Sequence, residues 1–232
     1  SRTEGNTDRH QANLKFTTKP DTTWFIDAMP SFSYTKAENS YESNSQSFNE
    51  NGDLINESES DNQTFRDGKT FGGNFNVNKR WANGASLSLR VNGDLENNDS
   101  ESYILTSAET FGNDGQSIDR NQFTDGEQEN NNINSTLRYR LPIVKDKFYL
   151  NSEIGYGNDS RDDRQYVYDL NDASGTFDNF NIEQSTDFEN INEFYRPEFG
   201  LDWNTKKANF GLDVAYVYRE MASSDNLRDF NF

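Results

Sequence analysis

The sequence predicts an all-β fold, an antiparallel up-and-down sheet of about eight consecutive strands, on three observations. Apolar residues recur at every second position in separate segments, the period of a strand with one apolar and one wet face. Connections alternate between tight turns and long polar stretches. All three tryptophans stand beside tight turns, in the parity of their strand's apolar face.

Taken in order, the strands lie near 9–18, 23–35, 70–81, 85–96, 132–143, 148–157, 188–203 and 209–219. The first carries Ala12, Leu14 and Phe16 on one face, and the second Trp24, Ile26, Ala28, Phe32 and Tyr34. The third sets Phe71, Phe75, Val77 and Trp81 against Gly72, Asn74, Asn76 and Arg80. The fourth answers with Ala85, Leu87, Leu89, Val91 and Leu95. Ile133, Leu137, Tyr139, Leu141 and Ile143 alternate in the fifth, and Phe148, Leu150, Ile154 and Tyr156 mark the sixth. The seventh runs through Ile191, Tyr195, Phe199, Leu201 and Trp203, and the eighth through Phe210, Leu212, Val214, Tyr216 and Tyr218.

The short connections are KPDTT, ANG, VKDK and NTKKA, which carry the Pro, Asn-Gly and Asn chemistry of hairpin turns. Long loops are expected near 36–69, 97–131, 158–187 and 220–232. Segments of about ten residues, with all tight turns at one end and all long loops at the other, suit an outer-membrane barrel better than a soluble sandwich. Pro30 and Pro197 fall inside strands and speak against a closed barrel unless a bulge or local solvation accommodates them.

Composition bounds the reading from another side. Mean hydropathy is −1.07, and Leu, Ile, Val and Phe number 46 of 232, at the border of disorder. Aromatic content of 14% argues for a fold instead. A formal charge of −18 excludes nucleic acid as a partner and disfavours unaided attraction to anionic lipid headgroups. Without cysteine there is no disulfide and no thiolate site. No apolar run reaches the length of a spanning helix, and the opening SRTEGNTDRH lacks a signal segment, which suggests a mature or excised piece.

On the barrel reading, Trp24, Trp81 and Trp203 form a membrane-interface girdle at the short-turn end. Tyr34, Phe71, Phe148, Tyr156, Tyr195 and Tyr218 extend the girdles, since ten residues climb roughly 23 Å at a tilt near 45°. Asn76, Arg80, Arg90, Asn92, Arg138, Arg140, Glu153 and Asp213 face the lumen. With both chain ends among the long loops, the strands read as consecutive members of a larger cylinder. Phe232 does not read as a terminal assembly signal, because the alternation fails behind it at Arg228 and Asn226.

The stretches FGGNFNVNKRWANGASLSLRVNGD and NEFYRPEFGLDWNTKKANFGLDVAYVYRE resemble barrel hairpins of TonB-dependent receptor-like outer-membrane proteins of the Bacteroidota. The likeness covers most of the chain and rests on pattern. It implies a transmembrane β-barrel of about 22 strands, an N-terminal plug and uptake of a bulky nutrient driven by the TonB complex through a part not in this chain. It also implies an outer-membrane location, contact with outer-membrane lipid and room for a surface lipoprotein partner. Alternatives are a large barrel for protein export or assembly, and a secreted soluble β-rich adhesin.

No enzyme is expected. The single histidine, His10, leaves no triad or multi-histidine site, and the GYG at 155–157 lacks the rest of a nucleotide fingerprint. Among 40 carboxylates chance pairs are inevitable and do not make a glycosidase dyad. Acidic stretches such as NENGDLINESESDN offer oxygen ligands suited to calcium but not EF-hand spacing, so solvated loops without a cofactor are expected.

Overall fold

The computed structural model describes residues 1–111 and 117–228, with the backbone alone of 230–231. Phe232 lies outside the described residues, as do 112–116 of the expected loop 97–131. Among the described residues there is no helix, and twelve strand segments form one antiparallel sheet. They are β1 (Arg2–Asn13), β2 (Phe16–Thr18), β3 (Trp24–Phe48), β4 (Leu54–Arg80), β5 (Ser86–Thr110), β6 (Ser117–Val144), β7 (Phe148–Asn171), β8 (Thr176–Phe180), β9 (Thr186–Asn204), β10 (Asn209–Ala215), β11 (Tyr218–Asp225) and β12 (Phe230–Asn231).

Pairing merges most of these into a meander. β1 and β2 both pair with β3 in one continuous register, and β10 and β11 do the same with β9. Between them β3, β4, β5, β6, β7 and β9 follow one another in space as in sequence. The first and last members are not paired with each other among the described residues, so the sheet is open.

Two interruptions have the same cause. Leu14 stands opposite Pro30 and Tyr216 opposite Pro197, and each donates its N–H to the proline oxygen at 3.0 Å. Proline has no N–H to return, so one ladder bond is missing while the register carries on unchanged. Neither proline sits at a bulge. A bulge does occur beside Pro142, where Ile143 is the extra residue and Val144 pairs with Phe148, so Ile143 does not continue the alternation.

The long polar connections are not loops. β3 to β7 are 25, 27, 25, 28 and 24 residues long and run far past the apolar segments. The stretch 36–69 is the upper part of β3 and β4, closed by a turn at 49–53 in which the Asn49 side-chain oxygen accepts the Asn51 and Asp53 N–H groups at 2.9 Å. Much of 97–131 and 158–187 is likewise strand. At the top of β3 and β4 both faces are wet, and polar cross-strand pairs such as Ser45–Ser58 (2.8 Å) and Gln46–Glu57 (2.7 Å) line them, whereas Tyr103, Phe123 and Phe177 cluster on one face of the upper β5–β8 region.

At the opposite end the four expected tight turns are present. In ANG, Trp81 donates its N–H to the Ala85 oxygen at 2.9 Å and Gly84 takes φ 87°, the left-handed region where glycine is at ease.

Candidate functional site

Strand alternation and the registers sort the side chains onto two faces. Trp24, Tyr34, Phe71, Phe148, Tyr156, Tyr195, Trp203 and Tyr218 share one, and Trp81 joins them by an edge-to-face contact with Tyr139 at 6.2 Å. Asn76, Arg80, Arg90, Asn92, Arg138, Arg140, Glu153 and Asp213 all occupy the other.

The first face is an apolar band. One of its rows reads Ile26, Val77, Leu89, Leu137, Ile154, Pro197 across six strands. Among the described residues nothing covers it: Phe71 is 56% exposed, Phe199 62% and Val214 63%, while Ala85 and Val167 are the buried apolar residues. Among the described residues the sheet has no second layer packed on it. Along β3 the band runs from Trp24 to Tyr34, roughly 23 Å of height at a barrel tilt. Above it the same face turns polar at Lys36, Glu38, Asp67 and Gln63.

Aromatic rings edge the band. Trp203 lies 5.9 Å from Phe210 and Tyr156 lies 5.1 Å from Tyr195, with His10 stacked on Tyr34 at 6.3 Å. Lys79 holds its ammonium 4.6 Å from the Trp24 ring centre and donates to the Thr23 hydroxyl at 2.6 Å. The neighbouring Asp21 carboxyl is held below its ordinary value by hydrogen bonds from the Thr23 hydroxyl (2.5 Å) and N–H (2.7 Å).

The second face carries a polar network. Arg90 donates to Asn76 at 3.1 Å, and Arg138 pairs with Glu153 on the next strand. Asp202 gathers Arg140 at 3.5 Å and the Asn151 amide at 2.9 Å. Thr17 donates to the buried Asp27 at 2.6 Å. Arg80 and Asp213 join none of these pairs among the described residues; the Asp213 carboxylate lies over Gly200. Asn92 borders an open groove of about 570 Å³ where Gly72, Gly73 and Gly93 thin the wall to its backbone. Higher on this face a second polar groove of about 640 Å³ runs over Gly126 between Asn62, Thr64, Ser102 and Gln128.

Alternation alone missed two features. Phe25, Tyr149 and Phe194 sit on the polar face, and each meets a cation: Lys19 at 5.8 Å, Arg140 at 3.9 Å and Arg219 at 6.0 Å from the ring centre. The signal was an off-parity aromatic with a basic residue across the strand pair.

The other feature is a buried knot at the upper end. The Ser185 hydroxyl, wholly buried, accepts the Val167 N–H at 2.9 Å and donates to the Asn181 oxygen at 2.7 Å. Arg228 pairs with Asp225 at 2.9 Å and reaches the Ile182 and Ser185 oxygens at 3.1 and 3.2 Å. Burial raises the Asp225 carboxyl, but hydrogen bonds from Arg228 and from the Leu227 and Arg228 N–H groups outweigh it and hold the group below its ordinary value.

Among the described residues no three His, Cys, Asp or Glu side chains converge to hold a metal. No family model, no curated protein and no solved structure matches the chain.

Proposed function

We propose that this chain forms part of the wall of a bacterial outer-membrane β-barrel of the TonB-dependent receptor type, which imports a bulky nutrient through a gated lumen. The observation that carries the reading is the uncovered apolar band, as tall as a hydrocarbon layer, edged by aromatic rings and backed by a polar wall. In lipid every backbone N–H and C=O needs a partner, so the open sheet edges require further strands that close a cylinder. The polar face, with its paired charges and grooves, is then a water-lined interior. Its lipid contact is the apolar band, and its energy coupling, plug and any surface lipoprotein belong to parts outside this chain.

This chain contains no cysteine, so a single introduced thiol is its one labelling site. In cells, Ser88→Cys and Asn92→Cys should react with a water-soluble maleimide, while Leu89→Cys and Val91→Cys should not. Equal labelling at both parities counts against lipid exposure. For import, cells with and without the protein are compared for depletion of polar solutes from the medium. Loss of a solute that needs the protein and stops on adding a protonophore supports uptake; depletion indifferent to both removes the transporter reading.

A further inference from the structure

The formal charge of −18 hides a reversal at one end of the sheet. The four tight turns and their flanks, 19–23, 79–85, 144–148 and 204–209, hold seven basic and two acidic residues. The rest of the chain holds 15 basic against 38 acidic, so a local +5 stands against −23. Every tight turn contributes: Lys19; Lys79 with Arg80; Lys145 with Lys147; Lys206 with Lys207. Two of the chain's nine lysines, Lys36 and Lys69, stand at the other border of the band.

These cations have no carboxylate partner among the described residues. None enters the seven ion pairs formed among the described residues, and all but Lys79 are exposed. Of the two acids among them, Asp21 is engaged by Thr23 and the Trp24 N–H, and Asp146 occupies the left-handed position of its turn at φ 61°. The collar borders the apolar band directly, because Lys79 shares a cross-strand row with Trp24 and lies over its ring. Lysines at the end of an apolar surface extend their ammonium groups to the height of the headgroups.

We infer that the short-turn rim is a binding collar for the phosphodiester headgroups of anionic glycerophospholipids in the leaflet that it borders. The net charge argues against such contact only when averaged over the chain, since screening confines attraction to about 10 Å and the acidic storey lies beyond the band. Each basic side chain near such a surface adds attraction worth about a fivefold preference. The inference rests on the membrane reading above, and the test separates the two.

The three tryptophans, all at this rim, report on it. The protein is reconstituted in vesicles of phosphatidylcholine mixed with phosphatidylglycerol, with bromine placed on the acyl chains of one lipid at a time. Brominated phosphatidylglycerol should quench the tryptophans about fivefold more effectively per molecule than brominated phosphatidylcholine. The preference should vanish at high salt and in the sevenfold Lys19→Gln, Lys79→Gln, Arg80→Gln, Lys145→Gln, Lys147→Gln, Lys206→Gln, Lys207→Gln variant, and persist in Lys36→Gln, Lys69→Gln. Equal quenching by both lipids, or a preference that survives the sevenfold variant, overturns the collar and leaves the barrel standing. No quenching by either lipid overturns both.

Discussion

Pro30 accepts a hydrogen bond from the Leu14 N–H at 3.0 Å and returns none, and Tyr216 and Pro197 repeat the arrangement with the same distance at the far side of the sheet. Each proline directs its missing donor at its outer neighbour, Leu14 between β1 and β2 or Tyr216 between β10 and β11, so the ladders joining β3, β4, β5, β6, β7 and β9 keep those bonds. Replacing either by valine supplies the absent N–H at a position already extended. Pro30→Val and Pro197→Val are expected to be neutral or to stabilise by up to about 1 kcal/mol, read as a shift in urea midpoint without change in slope. A loss above that size would mean the ring itself is needed.

Leu89 and Ser88 are chain neighbours on opposite faces. Leu89→Arg should destabilise the folded protein in bilayers by roughly 2 to 4 kcal/mol, whereas Ser88→Arg beside Arg138 should cost far less. Equal penalties in a folding titration would contradict the assignment of faces.

Gly73 and Gly93 lie opposite each other, each with neighbouring backbone close against it. A Cβ on Gly73 would meet the Met29 oxygen at 2.6 Å and the Pro30 Cα at 2.9 Å, and one on Gly93 would collide with the Asn132 oxygen. Backbone cannot yield as a side-chain tip does, so Gly73→Ala and Gly93→Ala should each cost about 1 to 3 kcal/mol. Gly155→Ala, whose Cβ would meet Arg196 at an ordinary 3.5 Å, serves as the mild comparison in the same denaturation series.

The Asp225–Arg228 clamp has a definite pH dependence. Because the folded carboxyl is held below its ordinary 3.8, its contribution is complete at neutral pH, declines as pH falls below that value and is lost once the folded carboxyl protonates. Hydrogen exchange at Val167 and Ser185 should therefore accelerate in acid below about pH 4, and Asp225→Asn should abolish that acid step. An unchanged pH profile in the variant would show that the knot holds without the carboxylate.

How much of this was legible beforehand follows from where water and apolar surface meet. The band could be read because rows such as Ile26, Val77 and Leu89 face a different medium from Asn76 and Arg90, and period two records that contrast. The upper parts of β3 and β4 left no such trace, since Ser45, Gln46 and Glu57 meet water whichever way they point. Polarity without alternation resembles a loop in sequence, although continued pairing makes it strand. The prolines misled for a related reason: a single lost ladder bond depends on which neighbour the residue faces, and that register lies outside local sequence. The charge reversal at the tight turns was written in the sequence, but a sum over the whole chain conceals it.

The upper storey changes what the tip of the β3–β4 hairpin does mechanically. Between Tyr34 and Phe48 the strand covers about 45 Å of ladder-bonded backbone, so the turn at 49–53 is carried on a mast and not on a tether. Whatever touches that tip is held at a fixed standoff from the aromatic rim, and a push there travels down the sheet as rigid displacement instead of being absorbed as slack.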